Sequence, residues 1–193
     1  MGLAILILGL AIFIGTHAFV SLRGHREKLI ARIGAGPYKG LFSLVSILGV
    51  VLAAYGFALY RRTGLIPVWS PPDFMRHLAE ALMWPAFVLV AAAYIPGTIK
   101  KTLKHPMLVG VKLWAFAHLL SSGDLGGIVL FGSVLAWAVY DRISLKRRTD
   151  PGAPPIPVGG WKNDALAVVV GTLVYLAVGL VFHPLAGLPV FGV

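Results

Sequence analysis

Six apolar runs dominate the chain, and each is close to the length a helix needs to cross a bilayer. A hydrocarbon core of ~30 Å takes about 20 helical residues. The runs are Gly2–Leu22, Gly40–Tyr60, Leu78–Ile99, Pro106–Ser121, Leu125–Tyr140 and Ala165–Ala186. They do not alternate apolar and polar residues, which excludes the strands of a membrane barrel. Of the 193 residues, 58% are hydrophobic and 12% charged, the latter about half the ~25% of a soluble domain. The predicted fold is therefore all-α: one integral membrane domain, residues 1–193, in a bundle of about six transmembrane helices. The first run has no basic segment before it and no small-residue cleavage site after it, so it is expected to remain as a span rather than to act as a signal peptide. With no cysteine, a disulfide, a thiolate nucleophile and a cysteine-ligated metal are excluded.

The formal charge of +10 has a topological distribution. Connections after the first, third and fifth runs carry thirteen of the seventeen Lys and Arg, whereas Arg61, Arg62 and Arg76 lie on the other side and Lys112 lies within the fourth run. The excess of positive charge on cytoplasmic loops places both termini outside, in the periplasm of a bacterial cytoplasmic (inner) membrane. The surplus also suits anionic lipids. No basic stripe with interleaved aromatics points to nucleic acid. The loop Arg23–Lys39 is charge-rich, with Ile30 and Ile33 at helical spacing, and suits the membrane interface. Ser121-Ser122-Gly123-Asp124 reads as a tight helical hairpin. Lys146–Trp161 is too proline-rich for a helix and reads as a linker.

Ionisable residues inside a membrane are costly and need a reason. His17 lies in the first run and His118 in the fourth, and neither has a carboxylate at helical spacing. Both are expected to be uncharged, and a neutral imidazole is a good metal ligand. Two such histidines on different helices can supply both axial positions of a haem; the other reading is that each bridges a helix interface by hydrogen bonding. Leu10, Phe13 and Trp114, one or two turns before these histidines, are candidates to line a pocket. His105 is thirteen residues from His118 and falls on nearly the opposite helix face. It is a candidate haem-propionate contact or a solvated interfacial residue. His25 is assigned to the basic loop, and His77 and His183 to the outer interface. Glu80 and Asp124 are candidates to cap helix starts.

Two blocks carry a resemblance. One is His17-Ala18, Ser21-Leu22-Arg23, Ile33-Gly34 and Tyr38. The other is Lys104-His105-Pro106, Gly110, Leu113-Trp114-Ala115, Ala117-His118-Leu119 and Gly123-Asp124. Over roughly residues 2–145 the chain resembles the NnrU family of bacterial membrane proteins, whose plant and cyanobacterial relative is 15-cis-ζ-carotene isomerase. The resemblance implies an association with nitrite and nitric oxide reductase expression in denitrification. It also implies haem b with two histidine axial ligands, which by motif fall on His17 and His118. From this follow a redox or gas-linked role with a diatomic ligand, or cis–trans isomerisation of a polyene. An alternative is a haem-free accessory factor for a respiratory reductase. The Lys104-His105-Pro106 start with Gly110 also resembles membrane methyltransferases, but the acidic pair expected after it is missing.

Overall fold

The computed structural model describes residues 1–147, 159–188, 190 and 191. The helices are α1 (Gly2–Ser21), α2 (Arg23–Ile33), α3 (Ala35–Thr63), α4 (Asp73–Tyr94), α5 (Thr98–Leu103), α6 (Pro106–Ser121), α7 (Leu125–Lys146) and α8 (Trp161–Ala177). The last continues through a π-helical turn, Val178–Phe182, into α9 (His183–Leu185). Apart from one isolated bridge between Pro67 and Asp124, the described residues carry no β-structure. The six apolar runs fall on helices, except that the third, Leu78–Ile99, runs past the end of α4 at Tyr94 into α5. Among the described residues, five helical stretches are long and apolar enough to cross a membrane, while Pro106–Ser121 is shorter.

The helix boundaries follow local chemistry. Gly34, at φ 87°, ends α2 and admits α3, whose Pro37 sits in the first turn, where a missing N–H costs nothing. The charge-rich loop is thus mostly helix, with no buried residue in α2. The helix of the third run starts earlier than its apolar residues suggest. Pro72 is extended at the N-cap and Asp73 supplies a negative charge to the first turn. Glu80 is therefore not a cap. It lies inside α4, with Oε1 3.3 Å from Arg76 Nε and Oε2 3.7 Å from His77 Nδ1. The same helix stops at Tyr94, because Pro96 disfavours helical geometry at Ile95. Asp124 does cap α7, accepting from the Gly127 amide at 2.9 Å. Of the expected linker Lys146–Trp161, Lys146 ends α7 and Trp161 begins α8, and residues 148–158 lie outside the described residues.

The chain divides into two compact units. The first is Met1–Ser70 with Ser122–Arg147. Its centre is the antiparallel pair α1–α3, in which glycines let two backbones touch. A Cβ on Gly49 would lie 2.7 Å from the Phe13 nitrogen, and one on Gly9 would lie 2.7 Å from the Gly49 carbonyl. Gly56 meets Leu6, and Gly2 meets Tyr60, in the same register. Small residues at a helix seam replace the hydrophobic drive that lipid removes. The opposite face of α3 is an apolar row left open, with Leu44 68%, Ile47 60% and Val51 56% exposed. Such a row suits a lipid environment. The segment after α3 is tied to the start of α7: Val68 N donates to Gly123 O at 2.8 Å, and Leu125 N to Ile66 O at 2.9 Å.

The second unit is Pro71–Ser121 with the described residues from Gly159 onward. Helix α4 packs on α6 where a Cβ on Gly110 would lie 2.8 Å from the Ala86 carbonyl, and on α8 where Gly171 meets Val88. Trp84 Nε1 donates to Thr172 Oγ1 at 2.9 Å. Asp164 receives the Thr98 and Ile99 amides, both at 2.9 Å, so α8 begins by capping α5. The π-helical turn has a local cause. Pro184 has no N–H and its ring clashes with a carbonyl four residues back, so the preceding turn widens. The His183 amide accordingly bonds to Val178 O, five residues earlier.

Candidate functional site

His17 sits one turn before the end of α1. Its Nδ1 is 2.8 Å from the Phe13 carbonyl. A carbonyl only accepts, so Nδ1 carries a proton, and in the uncharged tautomer Nε2 keeps its lone pair. The imidazole lies in an aromatic box drawn from three helices. Ring centroids are 4.2 Å away at Phe13 of α1, 5.1 Å at Phe42 of α3 and 5.2 Å at Trp137 of α7. The glycine register explains Phe42: continuing the Gly9–Ala53 and Phe13–Gly49 pairs toward the end of α1 sets His17 level with Val45, between Phe42 and Ser46. Phe13 was legible from helical spacing. Phe42 and Trp137 were not, because only the inter-helix register brings them in.

Four buried side-chain atoms have no hydrogen-bond partner among the described residues: Arg26 Nε, Tyr38 Oη, Ser46 Oγ and Trp137 Nε1. All belong to the first unit. Trp137 touches His17 directly. Tyr38, only 7% exposed, is 6.5 Å from Phe42 between ring centroids, and the Arg26 guanidinium carbon stands 5.8 Å from the Tyr38 centroid. Each such orphan costs about 1–3 kcal/mol. Arg Nε–H and Trp Nε1–H can only donate, and a tyrosine hydroxyl can donate. The open donor of Trp137 is in contact with His17, while those of Tyr38 and Arg26 are reached from it through Phe42; open donors of this kind suit a group with acceptor oxygens.

His118, one turn before the end of α6, repeats the local pattern. Its Nδ1 is 2.8 Å from the Trp114 carbonyl, which again puts the proton on Nδ1. The Trp114 ring lies 4.9 Å away at 49°, so the structure brings these two residues together. It also brings in His183, whose ring centroid is 6.3 Å from that of His118 at an interplanar angle of 24°. His183 thus stands against another histidine rather than serving only as an interfacial residue; the π-helical turn before Pro184 aims it there, and the His-Pro pair was the available signal. His105 precedes α6 by one residue, with its amide donating to Leu103 O at 2.7 Å. It lies near the opposite end of the helix from His118. Among the described residues no group of three or more His, Asp or Glu side chains is placed to hold a bare metal ion. A haem needs only axial nitrogens from the protein, because the porphyrin supplies the other donors.

Apolar helices of spanning length and glycine seams define a polytopic helical membrane protein, with two partly buried helical histidines. The chain belongs to the NnrU protein family, whose model matches residues 5–190. No curated protein and no solved structure matches it.

Proposed function

We propose that this NnrU-family protein binds haem b, with Nε2 of His17 and Nε2 of His118 as the axial donors; since the assigned topology puts the end of α1 on the cytoplasmic side and the end of α6 toward the periplasmic side, the reading requires helix tilt that brings the two rings to one depth. One observation carries the reading: both histidines donate Nδ1–H to the carbonyl one turn earlier in their own helix. A second hydrogen bond of this kind fixes tautomer and orientation and raises the basicity of the other nitrogen, as is usual for metal-bound histidine. The orphaned donors around His17 support it. Bound haem would supply one-electron chemistry and, where an axial position opens, a site for a diatomic gas. The role we assign is redox or gas-linked, connected through the family with nitrite and nitric oxide metabolism in denitrification. The test is the absorption spectrum of detergent-purified protein expressed with haem supply, oxidised and dithionite-reduced. A low-spin b-type spectrum is expected; protein that stays colourless after reconstitution with haemin overturns the reading.

We also assign the termini to the periplasmic side of a bacterial cytoplasmic membrane, from the positive-inside distribution. The chain has no cysteine, so single-cysteine labelling has no background. A membrane-impermeant maleimide should label Thr63→Cys in intact cells and Lys28→Cys only after permeabilisation. The reverse pattern would invert the topology.

A further inference from the structure

Arg26 and Tyr38 meet at the end of the α1–α3 hairpin, where α2 folds back. Arg26 Nε and Tyr38 Oη are both buried and both unpartnered, and the tyrosine is more than nine-tenths buried. The two side chains are packed against each other, with the guanidinium carbon 5.8 Å from the ring centroid. Arg26 therefore spends its π-contact on Tyr38 while its Nε–H stays open. Around them α2 adds Arg23, Lys28 and Arg32 against the single acid Glu27. Asp141 of α7 stands at the end of α1, accepting from Ser21 Oγ at 3.3 Å, and the two buried donors lack an acceptor. That is a site for an anionic oxygen group.

We propose that Arg26 Nε–H and Tyr38 Oη–H together hold one carboxylate or phosphate group. Tyr38 and His17 both contact Phe42, at 6.5 Å and 5.1 Å between centroids. The site is thus one aromatic ring removed from the proposed haem ligand. On the reading that His17 ligates haem, the occupant is a haem propionate. This moves the propionate contact from His105, near the start of α6, to the α2–α3 corner. The same donor pair is also suited to a lipid headgroup phosphate, and the experiment separates the two.

The probes are haemin and haemin dimethyl ester, which differ only in whether the carboxylates can ionise. Each is titrated into detergent-purified wild type, Arg26→Gln and Tyr38→Phe. Wild type should prefer haemin by about tenfold, the scale of one hydrogen bond to a charged group. Each variant should lose most of that preference while binding the diester like wild type, which shows that the variants are folded. Equal affinity of wild type for the two porphyrins, or a preference that survives in both variants, overturns the propionate assignment. If wild type binds neither porphyrin, the haem reading has failed, and the anion site is then judged by melting the haem-free protein in phosphate-free maltoside micelles with and without phosphatidylglycerol. A higher Tm in phosphatidylglycerol that disappears in Arg26→Gln supports a headgroup occupant. No lipid-dependent shift in wild type overturns the site altogether.

Discussion

Alanine at His17 or at His118 should convert the low-spin spectrum of the haem-loaded protein into a high-spin one, with affinity for haemin falling by about 100-fold or more. The scale follows from ligand support: losing an outer hydrogen-bonding partner of a metal-bound histidine already costs about 10–100-fold, and here the donor nitrogen itself is removed. The two positions should respond alike, because each presents Nε2 by the same device, an Nδ1–H bond of 2.8 Å to its own helix. Truncation leaves an imidazole-sized gap, lined at His17 by Phe13, Phe42 and Trp137 and at His118 by Trp114 and His183. Imidazole added to the buffer should enter that gap and restore the low-spin spectrum. Rescue separates loss of a ligand from loss of fold, since a collapsed helix pair offers no cavity. Low-spin spectra that persist unchanged in both variants would sink the assignment and pass the iron to the remaining histidines. His183 would be the first to examine, given its place beside His118.

The parts that sequence made legible are those that depend on one helix at a time. Helix α6 runs from Pro106 to Ser121 as its apolar residues indicate, because a proline starts it and Ser122-Gly123-Asp124 ends it. His17 and His118 stood out because a bilayer makes any ionisable group conspicuous. Trp114 and Phe13 followed from helical spacing. Other features depend on how elements meet. Helix α4 begins at Asp73, before its apolar run, so Glu80 moved from a cap to an ion pair with Arg76. Phe42 and Trp137 reach His17 only through packing between helices, which composition does not encode. Tyr38 was visible within a recognisable block, but its meaning required knowing that its hydroxyl is buried without a partner. His183 needed the widened turn ahead of Pro184. Charge placement and periodicity thus located the helical histidines, whereas the surroundings of His17 are a property of the glycine-set register.

That register supplies the prediction of largest structural effect. At Gly49 the α1 and α3 backbones are so close that a methyl group would lie 2.7 Å from the Phe13 nitrogen and 3.0 Å from both Phe13 Cα and the Gly9 carbonyl. These are backbone atoms, which cannot rotate aside as a side chain can. Gly49→Ala should therefore force the helices apart, at the cost of overpacking, about 1–3 kcal/mol, and Gly49→Leu should disrupt the pair. Gly15 is the control on the same seam's partner helix. A Cβ there meets nothing within 4 Å, so Gly15→Ala should be neutral or stabilise by up to about 1 kcal/mol through helix propensity. Opposite signs from the same chemical change, read as Tm in detergent, would establish that the contact rather than glycine content matters; a loss of equal size at both positions would refute the register. The consequence reaches the site, because Phe13 carries both the carbonyl that orients His17 and a wall of its box. Gly49→Ala should accordingly weaken haemin binding, although the nearest neighbours of a Cβ at residue 49 are backbone atoms of Phe13 and Gly9.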